Sequence, residues 1–228
     1  MKTIGIIGGL TWLSTADYYR LINQQINEQL GGVEAGKIIL YSVNFAGIKV
    51  LTEKNEWDSI ASIIKDIARK LETAGADCIL IGANTMHKIA DEVQSAITVP
   101  LIHIAVETAK VIEAKGLKKV ALLGTKYTMQ LDFYTKKLAA KDIETIIPGE
   151  EDIAYINNAI YSEMGKGLFL PETKERFIQI IDKLQHSGAE AVILGCTEIP
   201  ILIKQEDVNV PVLDTTAIHV SAAVKFAV

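Results

Sequence analysis

The chain is short of several things, and each shortage excludes a class of protein. Only two cysteines, Cys78 and Cys196, occur in 228 residues, too few for a disulfide framework and in keeping with a reducing compartment. Positive charge is not in excess: 23 basic residues face 28 acidic ones, for a formal net charge of −5. A nucleic-acid binder carries a basic patch or stripe. The densest basic pairs here, Lys118-Lys119 and Lys136-Lys137, read as solvated ends of helices or strands. No apolar run reaches the roughly 20 residues of a membrane span. Nor does the N-terminus show a signal-peptide pattern, because its apolar stretch runs only from Ile4 to Ile7 before Gly8-Gly9. A cytoplasmic protein is expected, with neither nucleic acid nor membrane as partner. The glycines at 5, 8 and 9 do not form G-x-G-x-x-G, and no Walker Lys-Ser/Thr is present. The histidines, His87, His103, His186 and His219, lack metal-ligand spacing.

What is present is an ordinary globular composition, 49% apolar and 22% charged. Short apolar runs alternate with amphipathic stretches. Thr3–Ile7, Lys37–Val43, Cys78–Ile81 and Pro100–Ile102 read as strands, as do Val120–Leu123, Ala191–Leu194 and Val210–Leu213. Helices are expected from Ser14-Thr15-Ala16-Asp17, from Asn55 through the Trp57, Ile60, Ile64, Ile67, Leu71 stripe, over 86–96, near 129–140 and 151–164, from Pro171 to Gly188, and at the C-terminus. The chain also repeats itself. Ala74–Ala83 lines up with Ser187–Cys196, Val99–Ile102 with Val210–Leu213, and Lys2–Gly8 with Lys118–Gly124, in one order and at nearly one spacing. The expected fold is α/β: two similar lobes, each an open, mostly parallel sheet flanked by helices, related by a pseudo-twofold axis with the site in the cleft. Residues 1–103 with 214–228 would form one lobe and 104–213 the other.

In open α/β sheets ligands sit beyond the carboxyl ends of the strands. Gly82-Ala83-Asn84-Thr85 and Gly195-Cys196-Thr197-Glu198 both lie at such ends. Cys196 follows an apolar strand and a glycine, where helix-terminal N–H groups favour a reactive thiol; the alternative is a small buried hydrophobe. Cys78, mid-strand, reads as core. Asn84, Thr85, Thr125 and Thr197 offer donors for a carboxylate, or serve as helix caps. Gly9 permits a close backbone approach. Lys166, in Gly165–Phe169, is a candidate carboxylate partner or part of a plain connector. For His87 and His219, capping or core roles are favoured over ligand contact.

Asn84-Thr85-Met86-His87, Gly195-Cys196-Thr197-Glu198, Gly8-Gly9-Leu10-Thr11-Trp12 with Ser14-Thr15, and Asp214-Thr215-Thr216-Ala217-Ile218-His219 together resemble the cofactor-independent aspartate/glutamate racemases. The similarity runs the length of the chain and is closest to the bacterial aspartate/glutamate or broad-specificity branch. It implies an active site between two lobes, usually in a homodimer, and exchange of the Cα proton of an amino acid or dicarboxylate without pyridoxal phosphate or metal. Gly9, Thr11, Asn84, Thr85, Thr125, Lys166, Thr197 and Glu198 are the implied substrate contacts. Two cysteines on opposite faces of the substrate act as base and acid in that family. The second maps onto Cys196; the first maps onto position 83, which is alanine. A family arginine after the second strand maps onto Phe45, a later lysine onto Gly165, and Leu13 stands where near relatives have Glu. Three accounts of Ala83 follow: a water or hydroxyl supplies the second face, an engineered Cys→Ala change weakens catalysis, or the enzyme protonates one face only, as one-cysteine decarboxylases of the superfamily do. A catalytically weakened amino-acid-binding protein is the non-enzymatic alternative.

Overall fold

A computed structural model describes all 228 residues, which separate into two compact units, Met1–His103 with His219–Val228 and Ile104–Ile218. The second crossing falls inside the last helix, after Ile218, where the sequence reading puts it before Asp214.

The first unit contains β1 (Ile4–Gly8), α1 (Trp12–Leu30), β2 (Ile38–Ser42), α2 (Phe45–Glu53), α3 (Trp57–Thr73), β3 (Cys78–Ile81) and α4 (Ala90–Gln94). Its sheet is parallel, in the order β2-β1-β3. The continuous apolar runs of β1 and β3 are explained by cover on both faces. Ile4, Ile6, Cys78 and Leu80 pack with Tyr18, Ile22 and Ile26 of α1. Ile7, Ile79 and Ile81 pack on the Ile60, Ile64, Ile67, Leu71 stripe of α3. Each such aliphatic side chain contributes about 1.5–3 kcal/mol by leaving water.

The second unit contains α5 (Ile104–Ala114), β4 (Lys119–Gly124), α6 (Lys126–Gln130), α7 (Asp132–Ala139), β5 (Glu144–Ile146), α8 (Glu150–Ser162), α9 (Pro171–His186), β6 (Ala191–Gly195), α10 (Ile199–Leu202), β7 (Val212–Asp214) and the start of α11 (Thr215–Ala227). Its sheet is parallel too, in the order β5-β4-β6-β7. The two sheets share one strand order, as the internal repeat predicts. In the first unit a single bridge between Leu101 and Ile79 stands where β7 stands in the second. Pro100–Ile102 is therefore not a full strand: Pro100 has no N–H to extend the ladder.

Other expectations are corrected. Thr11 caps α1, accepting from the Ser14 N–H, so Ser14 and Thr15 lie inside the helix instead of opening it. Asn55 adopts a left-handed φ of 57° and leaves the cap position of α3 to Glu56. The 86–96 helix is two pieces, a 3-10 stretch Thr85–Ile89 followed by α4. The 129–140 helix breaks at Leu131, whose ψ is 153°. The helix near 151–164 ends at Ser162, and Met164–Lys166 forms a separate 3-10 turn. No helix is long and apolar enough to cross a membrane.

Candidate active site

In the first unit, Ile7 is opposite Ile81 in the β1–β3 ladder, so Gly9 and Ala83 leave neighbouring strand ends. Gly9 has φ 75°, and a Cβ there would overlap the Val43 carbonyl; only glycine fits. The turn is held by side chains that the helix contributes. Thr15 Oγ1 accepts from the Gly9 N–H at 2.7 Å and donates to the Thr11 carbonyl at 2.8 Å. Ser14 Oγ donates to the Gly82 carbonyl at 2.9 Å. Ala83 is half-buried, while Asn84 and Thr85 are buried. Thr11 is half-buried at the head of α1. The helix beyond Ala83 is only the 3-10 stretch, with His87 N–H bonded to the Asn84 carbonyl at 3.0 Å. A short 3-10 turn sums few peptide dipoles. Any carboxylate affinity here therefore rests on individual N–H and side-chain donors.

In the second unit, Gly124 pairs with Gly195 across β4 and β6, which brings Thr125 and Cys196 out of adjacent strand ends. A Cβ on Gly195 would approach the Leu123 carbonyl to 2.8 Å, so the glycine lets these two exits close together. Thr125 caps α6, its Oγ1 accepting from the Thr128 N–H at 3.3 Å. Cys196 is 8% exposed, with aliphatic neighbours on its inner side. Its Sγ donates to Glu198 Oε2 at 3.0 Å, and Thr197 Oγ1 donates to the same oxygen at 2.9 Å. Burial first, then the Glu198 carboxylate, pushes the thiol well above its ordinary range. The thiol is protonated at neutral pH and aimed at a base. The Glu198 carboxylate is turned to Cys196 and Thr197. Cys78 is fully buried in β3 and pushed up to about 12, mainly by burial. It is core, as expected. Lys166 ends its 3-10 turn exposed, its ammonium making no ion pair.

Sequence reasoning does not reveal a buried polar cluster behind Ala83. His87 Nδ1 is 2.9 Å from the Ala83 carbonyl. His219 bridges Tyr18 Oη at 2.7 Å and the Ile102 carbonyl at 2.7 Å. The His87 and His103 rings lie 4.7 Å apart, and His87 and His219 5.5 Å. Both His87 and His219 are thus satisfied core residues. Burial lowers His87 to about 4 and His219 to about 3 from the ordinary 6.5. Unfolded imidazoles take up protons below pH 6.5 while the folded ones do not. Stability is therefore complete above pH 6.5 and falls as the pH drops toward 4 and 3, by about 1.4 kcal/mol per pH unit for each ring. Urea unfolding is expected to show a loss on the order of 3–4 kcal/mol between pH 7 and pH 5. His219→Gln, which keeps a donor for Ile102, should flatten that slope.

No group of three or more His, Cys, Asp or Glu side chains is gathered as a metal would require. An open groove of about 540 Å³, lined by residues such as Tyr41, Asn44, Ile48 and Ile63, contains none of the candidate site residues.

Two α/β units, each with a parallel sheet and sharing one strand order, have the fold of solved amino-acid racemase structures. The chain belongs to the Asp/Glu/Hydantoin racemase family, whose profile matches residues 7–223. It is 30% identical over 161 residues, 70% of this chain and 69% of the relative, to a broad specificity amino-acid racemase of Bacillus subtilis. Among solved structures, it is similar to a Yersinia pestis protein provisionally assigned as an Asp/Glu racemase, with 45% identity, a TM-score of 0.93, and coverage of 100% of this chain and 99% of that one. It is also similar to an aspartate racemase homologue from Pyrococcus horikoshii, with 40% identity, a TM-score of 0.86 and the same coverage.

Proposed function

We propose that this protein is an amino-acid racemase-type enzyme, independent of pyridoxal phosphate, in which Cys196 exchanges the Cα proton on one face of the substrate. The observation that carries the reading is the Cys196–Glu198 hydrogen bond at 3.0 Å, in a chain whose family performs this kind of chemistry. Glu198 takes the thiol proton, and the thiolate Sγ takes the hydrogen from Cα. The electron pair left on Cα is delocalised into the α-carboxylate. Return of the proton from Sγ restores Cα, and Glu198 returns its own to the sulfur. A carbanion without an electron-sink cofactor needs preorganised donors and exclusion of water. Asn84, Thr85 and Thr197 are assigned to the α-carboxylate, with Gly9, Thr11 and Thr125 shaping the strand exits and Lys166 a reserve contact. Aspartate, glutamate or a broader set of amino acids fits the relatives; Phe45 and Gly165 remove two charged contacts for a side-chain carboxylate. The working form is taken to be a cytoplasmic homodimer, checked by light scattering of the purified protein.

Ala83 has no ionisable group, so no side chain at that position serves the opposite face. This favours exchange with retention over inversion. In D2O one enantiomer of aspartate or glutamate should gain Cα deuterium faster than the other enantiomer accumulates. A panel of amino acids in which no Cα gains deuterium rejects the reading. The same one-sidedness supports a second reading, in which loss of carbon dioxide from a malonate-type acid generates the carbanion and Cys196 protonates it. Carbon dioxide release from such an acid distinguishes the two.

A further inference from the structure

The buried cluster behind Ala83 has no part in the proton transfers above, yet two of its bonds end on the backbone of the strand exit. Ser14 Oγ holds the Gly82 carbonyl at 2.9 Å and His87 Nδ1 the Ala83 carbonyl at 2.9 Å. Ser14 is 1% exposed and His87 2%. A carbonyl only accepts, so Ser14 donates its hydroxyl hydrogen to Gly82, and His87 bonds Ala83 in the tautomer that carries the N–H on Nδ1. The ring is kept in place by contacts on its other sides. His219 stands 5.5 Å away, nearly edge-on, and is itself locked by Tyr18 and the Ile102 carbonyl. His103 stands 4.7 Å away on another side.

A trans peptide is planar, with its C=O and N–H pointing in opposite directions, and the chain contains no cis peptide. Fixing the Ala83 carbonyl therefore aims the Asn84 N–H, while fixing the Gly82 carbonyl steadies the preceding peptide, whose Ala83 N–H donates to the Ile81 carbonyl at 2.8 Å. These two peptides form the turn that leaves β3. We propose that His87, with Ser14 beside it, is a positioning residue that sets the Ala83-Asn84 peptide in the orientation that receives the substrate carboxylate. The assignment of that ligand rests on the function proposed above. Tyr18 and His219 extend the support, so the strand exit is braced from α1 and α11 as well as from its own 3-10 turn. An oriented donor to the α-carboxylate acts on the ground state and more strongly on the transition state, where the Cα electron pair adds negative charge to the carboxylate oxygens. Its loss should therefore lower kcat as well as raise KM, with the full effect seen in kcat/KM.

The test compares His87→Phe, which keeps a ring but removes the donor, with His87→Asn, whose side-chain amide N–H lies near the place of Nδ1, and with Ser14→Ala. The first readout needs no substrate: amide hydrogen exchange and ¹⁵N shifts at Ala83–Thr85. His87→Phe should move these resonances and speed exchange at Asn84 by about tenfold or more, with Ser14→Ala moving Ala83 and His87→Asn staying near the parent. The second is Cα deuterium exchange on whichever amino acid the parent accepts. Its kcat/KM should fall about tenfold or more in His87→Phe, and His87→Asn should recover most of the difference. If His87→Phe does not fold, Ser14→Ala and His87→Asn carry the comparison. Unmoved amides in folded variants overturn the proposal. So does an unchanged kcat/KM in an active enzyme whose amides have moved. A parent inactive on every amino acid, with amides that respond as stated, overturns the racemase reading and leaves the backbone positioning standing.

Discussion

Replacing Cys196 with alanine is expected to reduce Cα deuterium exchange by about 10²–10⁴-fold, the usual worth of a positioned acid–base group. The fold should survive. Cys196 is 8% exposed, and its removal leaves Glu198 still accepting from Thr197 Oγ1 at 2.9 Å, so the carboxylate keeps a donor. A small cavity next to Ile199 and its neighbours should lower stability by only about 1–2 kcal/mol. Serine separates bonding from proton chemistry. Its hydroxyl can keep the hydrogen bond to Glu198 but is a far weaker acid than a thiol, so Cys196→Ser should fold like the parent and lose nearly as much activity as alanine. Because burial and Glu198 hold the thiol protonated, iodoacetamide should react slowly at neutral pH, thiolate being the reactive form. Glu198→Gln removes the base, and exchange should fall without loss of the fold. Full exchange by Cys196→Ser would take the sulfur out of the mechanism.

The strands that end at the candidate site residues are those the sequence states most plainly. Strands covered on both faces must be apolar throughout, and β1, β3, β4 and β6 read so without any tertiary knowledge. The repeated Gly-Ala and Gly-Cys exits follow from the same logic, since they end equivalent strands. Where the reading fails, the residues serve partners distant in the chain. Ser14 and Thr15 look like a helix opening because hydroxyls usually cap, but here they bond to Gly82, Gly9 and Thr11. The helix α5 has a legible stripe, Ile104, Ala105, Thr108, Ala109 and Ile112, all buried, hidden by its nearness to the apolar Pro100–Ile102 segment. The helix α2 is nine residues long and interrupted by Gly47, too brief for periodicity to declare itself. Glu198 illustrates the limit for the site: its place beside Cys196 is visible in the chain, but the direction of its carboxylate is a property of the turn. The His87–His219–Tyr18 cluster joins residues from opposite ends of the sequence, and no local pattern announces it.

Ala83→Cys should raise inversion, the conversion of one enantiomer into the other, by about 10²-fold, while exchange with retention at the Cys196 face changes little. The argument turns on what a second thiol adds. With one acid–base group the proton returns to the face it left, and inversion waits on water. A thiol at position 83 would supply a proton directly once the carbanion forms. The position is suited to the change: Ala83 is half-buried, and its backbone is held through the Ala83 and Gly82 carbonyls, so a new Sγ is presented in a set direction. Two extra features of the double variant sharpen the test. Ala83→Cys with Cys196→Ala leaves one thiol on the other face, and exchange should then pass to the opposite enantiomer while inversion stays slow. Chiral chromatography of the product alongside mass spectrometry of its Cα deuterium separates the two rates. If the folded single variant inverts no faster than the parent while Cys196-dependent exchange persists, position 83 does not face the stereocentre, and the opposite-face proton comes from another group.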